Sequence, residues 1–294
     1  MNSDLVMASV VGGALWGVSW VAGRRTGSHL RRLRMPLFGV LIVLTSLYAS
    51  AWVGRVENVW LFPLGTAILL SNLTPALTCF LAGMAWQIPG VPTGRKVVGL
   101  GTLVILSVLF FFAPVLRPIW RPVHVSDQGW WKNGVCMQSH EASCGAAAAV
   151  TMLTQFGIEA TERELVAECL TSRAGTEPLA LYRALARRGQ AHSLQPRLAA
   201  SDPRQWRDAG QFPVLAMVGA VDAGMPGETR TGRLRQLLGR ANGGHAVVVL
   251  GVNGRGDYLV ADPGEGLARW SPYIMSMFYN GQAFYLSADA ERAD

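Results

Sequence analysis

The sequence predicts an all-α membrane bundle of about four helices, followed by an α+β domain in which helices precede an antiparallel sheet. Three observations carry that prediction. The chain has 294 residues, of which 50% are hydrophobic and only 15% charged, too apolar for an ordinary water-soluble enzyme. Its long apolar runs all lie before about residue 120, where a transmembrane helix needs roughly 20 apolar residues. Beyond them, helical patterns come first and short β-branched runs follow, the layout of an α+β domain.

The net charge of +7 divides unevenly. Up to Arg121 there are ten Arg/Lys against two acids, Asp4 and Glu57, a net of +8; the remaining sixteen Arg/Lys face seventeen acids, a net of −1. The basic excess therefore sits in the apolar half, where it reads as a topology signal and not as a phosphate-binding surface. No basic patch with interleaved aromatics suits nucleic acid.

The first apolar run is Leu5–Ala22, closed by Arg24-Arg25. It lacks a basic start and an A-x-A-like cleavage site, so it reads as a retained helix and not a signal peptide. Met35–Val53 is the second, Val59–Trp86 the third and Val97–Val115 the fourth. The third, with Pro63 and Pro75, reads either as one kinked span or as two halves around Ser71-Asn72-Leu73-Thr74-Pro75. Arg24, Arg25, Arg31, Arg32 and Arg34 mark the first loop as cytoplasmic. A single crossing by the third run puts Arg95-Lys96 on the same side and the chain after the fourth run outside. Arg117 and Arg121 on that outer flank run against the rule. The expectation is four spans in a cell membrane with the polar domain extracytoplasmic. The runs hold no Asp, Glu or His, which fits anchoring and presentation of a membrane-bound substrate better than intramembrane catalysis.

Arg117–Asn133 reads as a linker by its prolines and mixed polarity, and Trp120, Trp130 and Trp131 suit a bilayer interface. The division expected is a transmembrane domain at 1–120, a linker at 121–133 and a second domain at 134–294. In that domain Cys144–Phe156 is Ala-rich and apolar with Gly157 after it, a buried helix with a C-cap. Thr161-Glu-Arg-Glu164 is a capping box opening a helix through Leu170. Thr176-Glu-Pro178 starts another, ending at Gly189. Strands are expected at Pro213–Val218, Ala246–Val252 and Tyr258–Ala261.

Of the four cysteines, Cys79 lies in an apolar run, leaving Cys136, Cys144 and Cys169. An odd, widely spaced set without CxxC is neither a disulfide framework nor a zinc site. Gln138-Ser-His-Glu-Ala-Ser-Cys144-Gly145 ends where the buried helix begins, and a helix N-terminus stabilises a thiolate. Gln138 is placed to offer its amide to an oxyanion, and Gly145 to let substrate approach the backbone. A cysteine nucleophile needs a base and an orienting group. His245 opens the strand Ala246–Val252 and Asp262 ends Tyr258–Asp262, so a hairpin over Asn253–Asp257 brings the two to one end. His140 and Glu141 are read as helix-capping or solvent-facing residues and not as a rival base pair, Cys136 as a bystander, and Asp222 and Glu228 as a solvated rim of the cleft.

Gln-x5-Cys-Gly-x-Ala, then Gly-His before a Val-rich strand, then a strand ending in Asp-Pro, resembles the C39-like branch of papain-like cysteine peptidases, which includes the leader-cleaving domains of bacteriocin exporters. The resemblance covers about Gly134 to Leu286, with Ser143 standing where the exporters usually have Asp. It implies a papain-like fold with Cys144 as nucleophile, His245 as base, Asp262 as orienter and Gln138 in the oxyanion hole. The expected activity is peptide-bond hydrolysis without cofactor or metal, on a membrane-tethered or exported protein or peptide. The same residues leave open an acyltransferase, amidase or transpeptidase, or a non-catalytic peptide-binding domain.

Overall fold

The computed structural model describes residues 3–62, 66–126, 129–219 and 244–288. Its packing divides the chain into two units, Met1–Pro114 and Val115–Asp294.

The first unit is helical: α1 (Ser3–His29), α2 (Arg34–Ala51), a 3-10 turn at Val56–Trp60, the short α3 (Ala67–Leu70), α4 (Thr74–Trp86) and α5 (Thr93–Trp120), the last running on into the second unit. Four stretches are long and apolar enough to cross a membrane: Ser3–His29, Arg34–Ala51, Ala67–Trp86 and Thr93–Trp120. The third run is thus one 20-residue stretch in two pieces; Pro63 lies outside the described residues. Its break at Ser71–Leu73 leaves backbone groups that side chains take up. Tyr48 Oη donates to the Ser71 carbonyl and accepts from Leu73 N at 3.1 Å. Asn72 Oδ1 accepts from Thr74 N at 3.2 Å, while Nδ2 donates to the Phe110 carbonyl at 3.3 Å. A broken helix in an apolar setting needs such partners.

Helices α1 and α4 run parallel with their backbones touching. A Cβ at Gly23 would lie 2.0 Å from the Phe80 carbonyl oxygen, and one at Gly83 2.4 Å from that of Trp20. Only residues without a side chain permit this approach. Gly83→Val is therefore expected to cost about 2 kcal/mol or more, read as a lower melting temperature in detergent. Gly13→Val, with nothing within 4 Å of its added Cβ, should leave the melt nearly unchanged.

The second unit opens with strands β1 (Trp130–Lys132) and β2 (Val135–Met137), paired antiparallel. Part of the stretch expected to be linker is therefore a hairpin. Its two-residue turn is Asn133-Gly134, with φ of 52° and 76°, the pair of left-handed residues that a tight hairpin turn demands. Three helices follow: α6 (Cys144–Thr154), α7 (Glu162–Glu168) and α8 (Pro178–Gln190). Gly157, at φ 71°, closes α6 by letting Ile158 N reach the Leu153 carbonyl at 3.1 Å, the geometry of a left-handed helix cap. The Thr161–Glu164 capping box forms in both directions, at 3.3 and 3.0 Å, although α7 stops at Glu168, short of Leu170.

Among the described residues the sheet has six antiparallel strands in the order β3 (Leu194–Leu198), β8 (Tyr279–Ala288), β4 (Val214–Gly219), β5 (Gly244–Val252), β6 (Tyr258–Asp262) and β7 (Gly266–Trp270). Helix α9 (Pro272–Phe278) joins the last two in chain order. Strands β4, β5 and β6 stand where the β-branched runs put them; β3, β7 and β8 are additional. Edge strand β3 tolerates Pro196 because one side of an edge needs no N–H donor, and Tyr182 Oη donates to the Pro196 carbonyl at 2.6 Å. Every residue of α6 from Cys144 to Leu153 is buried. Its alanines let it lie close to β5, which brings the start of α6 to the start of β5.

Candidate functional site

The site is built where three element ends meet. Cys144 is the first residue of α6, His245 the second of β5 and Asp262 the last of β6. The hairpin register, Val248 opposite Ala261 and Val249 opposite Val260, carries Asp262 to the His245 end. There His245 Nε2 and Asp262 Oδ1 lie 2.7 Å apart. That leaves the other ring nitrogen for the thiol, and His245 is hydrogen-bonded to Cys144. Asp262 Oδ1 also accepts from Gly264 N at 2.8 Å, a side-chain turn of the kind Asp forms with the residue two ahead. The carboxylate is thus aimed by its own turn.

The electrostatics follow. Burial pushes the Cys144 thiol up, but the His245 hydrogen bond and charge, with the Ala246 and Gly145 backbone groups, bring it below its ordinary value. Burial pulls His245 down, yet hydrogen bonds and charge from Asp262 and Cys144 raise it to about 10. Asp262 is held below the usual carboxylate range: burial opposes this, and His245 and the Gly264 and Glu265 N–H groups outweigh burial. A thiolate–imidazolium pair at neutral pH is the state these shifts favour. The other two thiols of this unit go the opposite way. Burial and the Glu162 charge push Cys136 to about 12, and burial pushes Cys169 up as well. All four cysteines are free. Among the described residues no group of three or more His, Cys, Asp or Glu is placed to hold a metal ion.

The loop before Cys144 is fastened at several points. Gln138 N donates to the Pro263 carbonyl at 2.9 Å, tying the loop to the Asp262 turn. Gln138 Nε2 lies 3.2 Å from the His140 carbonyl and 3.5 Å from that of Glu141. Both contacts are with carbonyls of its own loop, and Gln138 Oε1 is buried without a hydrogen-bond partner. His140 Nδ1 accepts from Ala142 N at 3.0 Å, and Ser143 Oγ donates to the His140 carbonyl at 2.7 Å. His140 and Ser143 are turn-forming residues here, and Glu141 is exposed.

One expectation is corrected. Gly145 does not open the backbone to substrate: a Cβ there would lie 2.9 Å from Thr176 Cβ and 3.0 Å from its Oγ1. Gly145 is small so that α6 can pack against the Thr171–Thr176 loop, whose two threonine hydroxyls lie 2.7 Å apart. Asp222, Glu228 and Gly243 lie outside the described residues. Sequence reading missed Glu162, which is 2% exposed and bonded to Ser139; a second acid in the first turn of α7, beside the capping Glu164, was the one available signal.

No protein-family model matches the chain, and no curated protein does. Among solved structures it is similar to a double glycine motif protease from an AMS/PCAT transporter, in complex with the leader peptide, at 19% identity and TM-score 0.40, covering 56% of this chain and 97% of that one. It is similar to the peptidase domain of Streptococcus ComA, a bi-functional ABC transporter, at 17% and 0.40, covering 52% and 97%. The peptidase domain of Streptococcus mutans ComA stands at 16% and 0.36, covering 52% and 98%.

Proposed function

We propose that the chain is a membrane-anchored cysteine peptidase, residues 1–120 holding it in the bilayer and residues 134–294 cleaving a membrane-tethered or exported protein or peptide. The single observation that carries this reading is the placement of His245 between the thiol at the head of α6 and the Asp262 carboxylate. In the mechanism the Cys144 thiolate attacks a scissile carbonyl, forming a tetrahedral oxyanion that the Gln138 amide and the Cys144 backbone N–H stabilise. The His245 imidazolium gives its proton to the leaving amine as the C–N bond breaks. Now neutral, His245 takes a proton from water, which attacks the thioester and releases the acid. Asp262 keeps the ring oriented throughout.

The proposed extracytoplasmic side draws support from the first unit. Arg34 Nη1 donates to the Gln87 carbonyl at 2.5 Å and Lys96 Nζ to that of Trp86 at 2.8 Å. The basic residues of Arg24–Arg34, around the α1–α2 connection, and Arg95-Lys96, in the first turn of α5, therefore share one end of the bundle, the cytoplasmic one by the positive-inside rule. With α4 crossing once, α5 leaves at the opposite end. Arg117, which ran against the rule, has a partner in the Glu177 carboxylate. In intact cells expressing the chain, a membrane-impermeant maleimide is expected to label Cys144, and Cys144→Ala to remove the label. Labelling only after permeabilisation would place the thiol in the cytoplasm.

A further inference from the structure

Glu162 is an uneconomical residue unless it holds something. It is a carboxylate with 2% exposure in the first turn of α7, and burying a charge is costly unless it is fully bonded. It does not cap its own helix, since Glu164 and Thr161 form the capping box. Instead its oxygens cross to Ser139: Oε1 accepts from the backbone N at 2.9 Å and Oε2 from the hydroxyl at 2.7 Å. Ser139 Oγ in turn accepts from Ser126 N at 3.1 Å. Ser139 directly follows Gln138, whose backbone N is bonded to Pro263 beside Asp262. The residues between beta strand β2 and the nucleophile are thus pinned on one side to the Asp262 turn and on the other to Glu162.

We propose that Glu162 is a positioning residue for the carbonyl chemistry at Cys144, fixing through Ser139 the backbone that carries the Gln138 amide. This rests on the peptidase reading above. Glu162 touches neither the thiol nor the imidazole in any bond described, so it should matter for the oxyanion step and not for thiolate formation. Its charge does help hold Cys136 protonated, which keeps that thiol out of competition.

Two probes on the full chain in detergent separate these steps. Iodoacetamide alkylation needs only the Cys144 thiolate; acylation by an N-blocked Gly-Gly 4-nitrophenyl ester also needs the oxyanion donors. Glu162→Gln is expected to leave the alkylation rate and its pH profile within about twofold, since no bond to the thiolate changes, while acylation falls roughly 10- to 100-fold, the loss of a charge-assisted bond. Ser139→Ala, which removes one of the two bonds and keeps the backbone one, should give a smaller fall in acylation. The double variant should be no worse than Glu162→Gln alone, because both act through one contact. Acylation within twofold of the parent in Glu162→Gln, equal losses in both probes, or losses that multiply in the double variant would each overturn the proposal. If Glu162→Gln does not fold, Ser139→Ala decides by the same split. A parent chain that alkylates at Cys144 but forms no acyl-enzyme would bring down the peptidase reading, and this inference with it; a parent that acylates while both variants match it brings down the inference alone.

Discussion

Replacing Cys144 by Ala is expected to abolish peptide-bond cleavage by the full-length chain, a loss on the order of 10⁶-fold in kcat, as for removal of a covalent nucleophile elsewhere. The fold should survive. Cys144 is 7% exposed at the first position of α6, so the change removes one small side-chain atom at the rim of the core and breaks no backbone bond. Cys144→Ser is expected to fail nearly as completely, because the imidazolium that lowers a thiol cannot bring a hydroxyl within range of neutral pH. The companion measurement is alkylation. Iodoacetamide at neutral pH should modify Cys144 before Cys136 or Cys169, both buried with their thiols pushed up. An Ala variant that cleaves as fast as the parent would rule out thiol chemistry, whatever the fold.

How much of this was legible in the sequence depends on the range over which each residue acts. The ends of β5 and β6 are written locally, in Val-rich runs bounded by Gly244-His245 and Asp262-Pro263-Gly264. Once those strands pair across a short turn, the His245–Asp262 contact follows from the register alone. The head of α6 is equally local, an apolar Ala-rich run whose first residue is Cys144. By contrast, β3 contains Gln195, Pro196 and Arg197, and β8 contains Asn280, Gly281 and Gln282. Pro196 argues against a strand in β3 despite its Leu-Gln-Pro-Arg-Leu alternation, β8 opens without alternation, and both are held by pairing with each other and, for β8, with β4. The β1–β2 hairpin carried a usable signal in Asn133-Gly134, hidden by the prolines upstream. Glu162 and Thr176 had none of comparable strength. Each acts across more than 20 residues of sequence, Glu162 on Ser139 and Thr176 on Gly145, and only the tertiary fold makes those pairs.

The Asp262 carboxylate offers the sharpest test of the electrostatics, because removing its charge and removing its hydrogen bond can be separated. Asp262→Asn keeps an oxygen for the Gly264 N–H and for the ring but loses the charge; Asp262→Ala loses both. His245 stands at about 10 because Asp262 and Cys144 together overcome burial. Without the carboxylate charge, burial meets less opposition and the imidazolium should lose its proton at lower pH. Cleavage needs the imidazolium as proton donor, so its alkaline limb, near pH 10 in the parent, should move down by roughly one to three pH units in Asp262→Asn, the reach of a neighbouring opposite charge. The thiolate, deprived of part of its counterion, should form at higher pH, which moves the acidic limb of iodoacetamide alkylation up. The two limbs approach each other and the window narrows. In Asp262→Ala the ring is also free to turn, and kcat should fall by roughly 10²- to 10⁴-fold, with the Asn variant less impaired. Stability follows the same signs. A raised imidazole contributes stability that is complete below its unfolded value near 6.5 and lost as pH rises through about 10. The depressed Asp262 carboxyl contributes above its unfolded value of 3.8 and is lost as pH falls through its folded value. The melting temperatures of parent and Asp262→Asn should therefore differ most between those limits and converge in acid. An alkaline limb that stays at pH 10 in both variants would mean that Asp262 neither charges nor orients His245, and the ring's partner would have to be sought elsewhere.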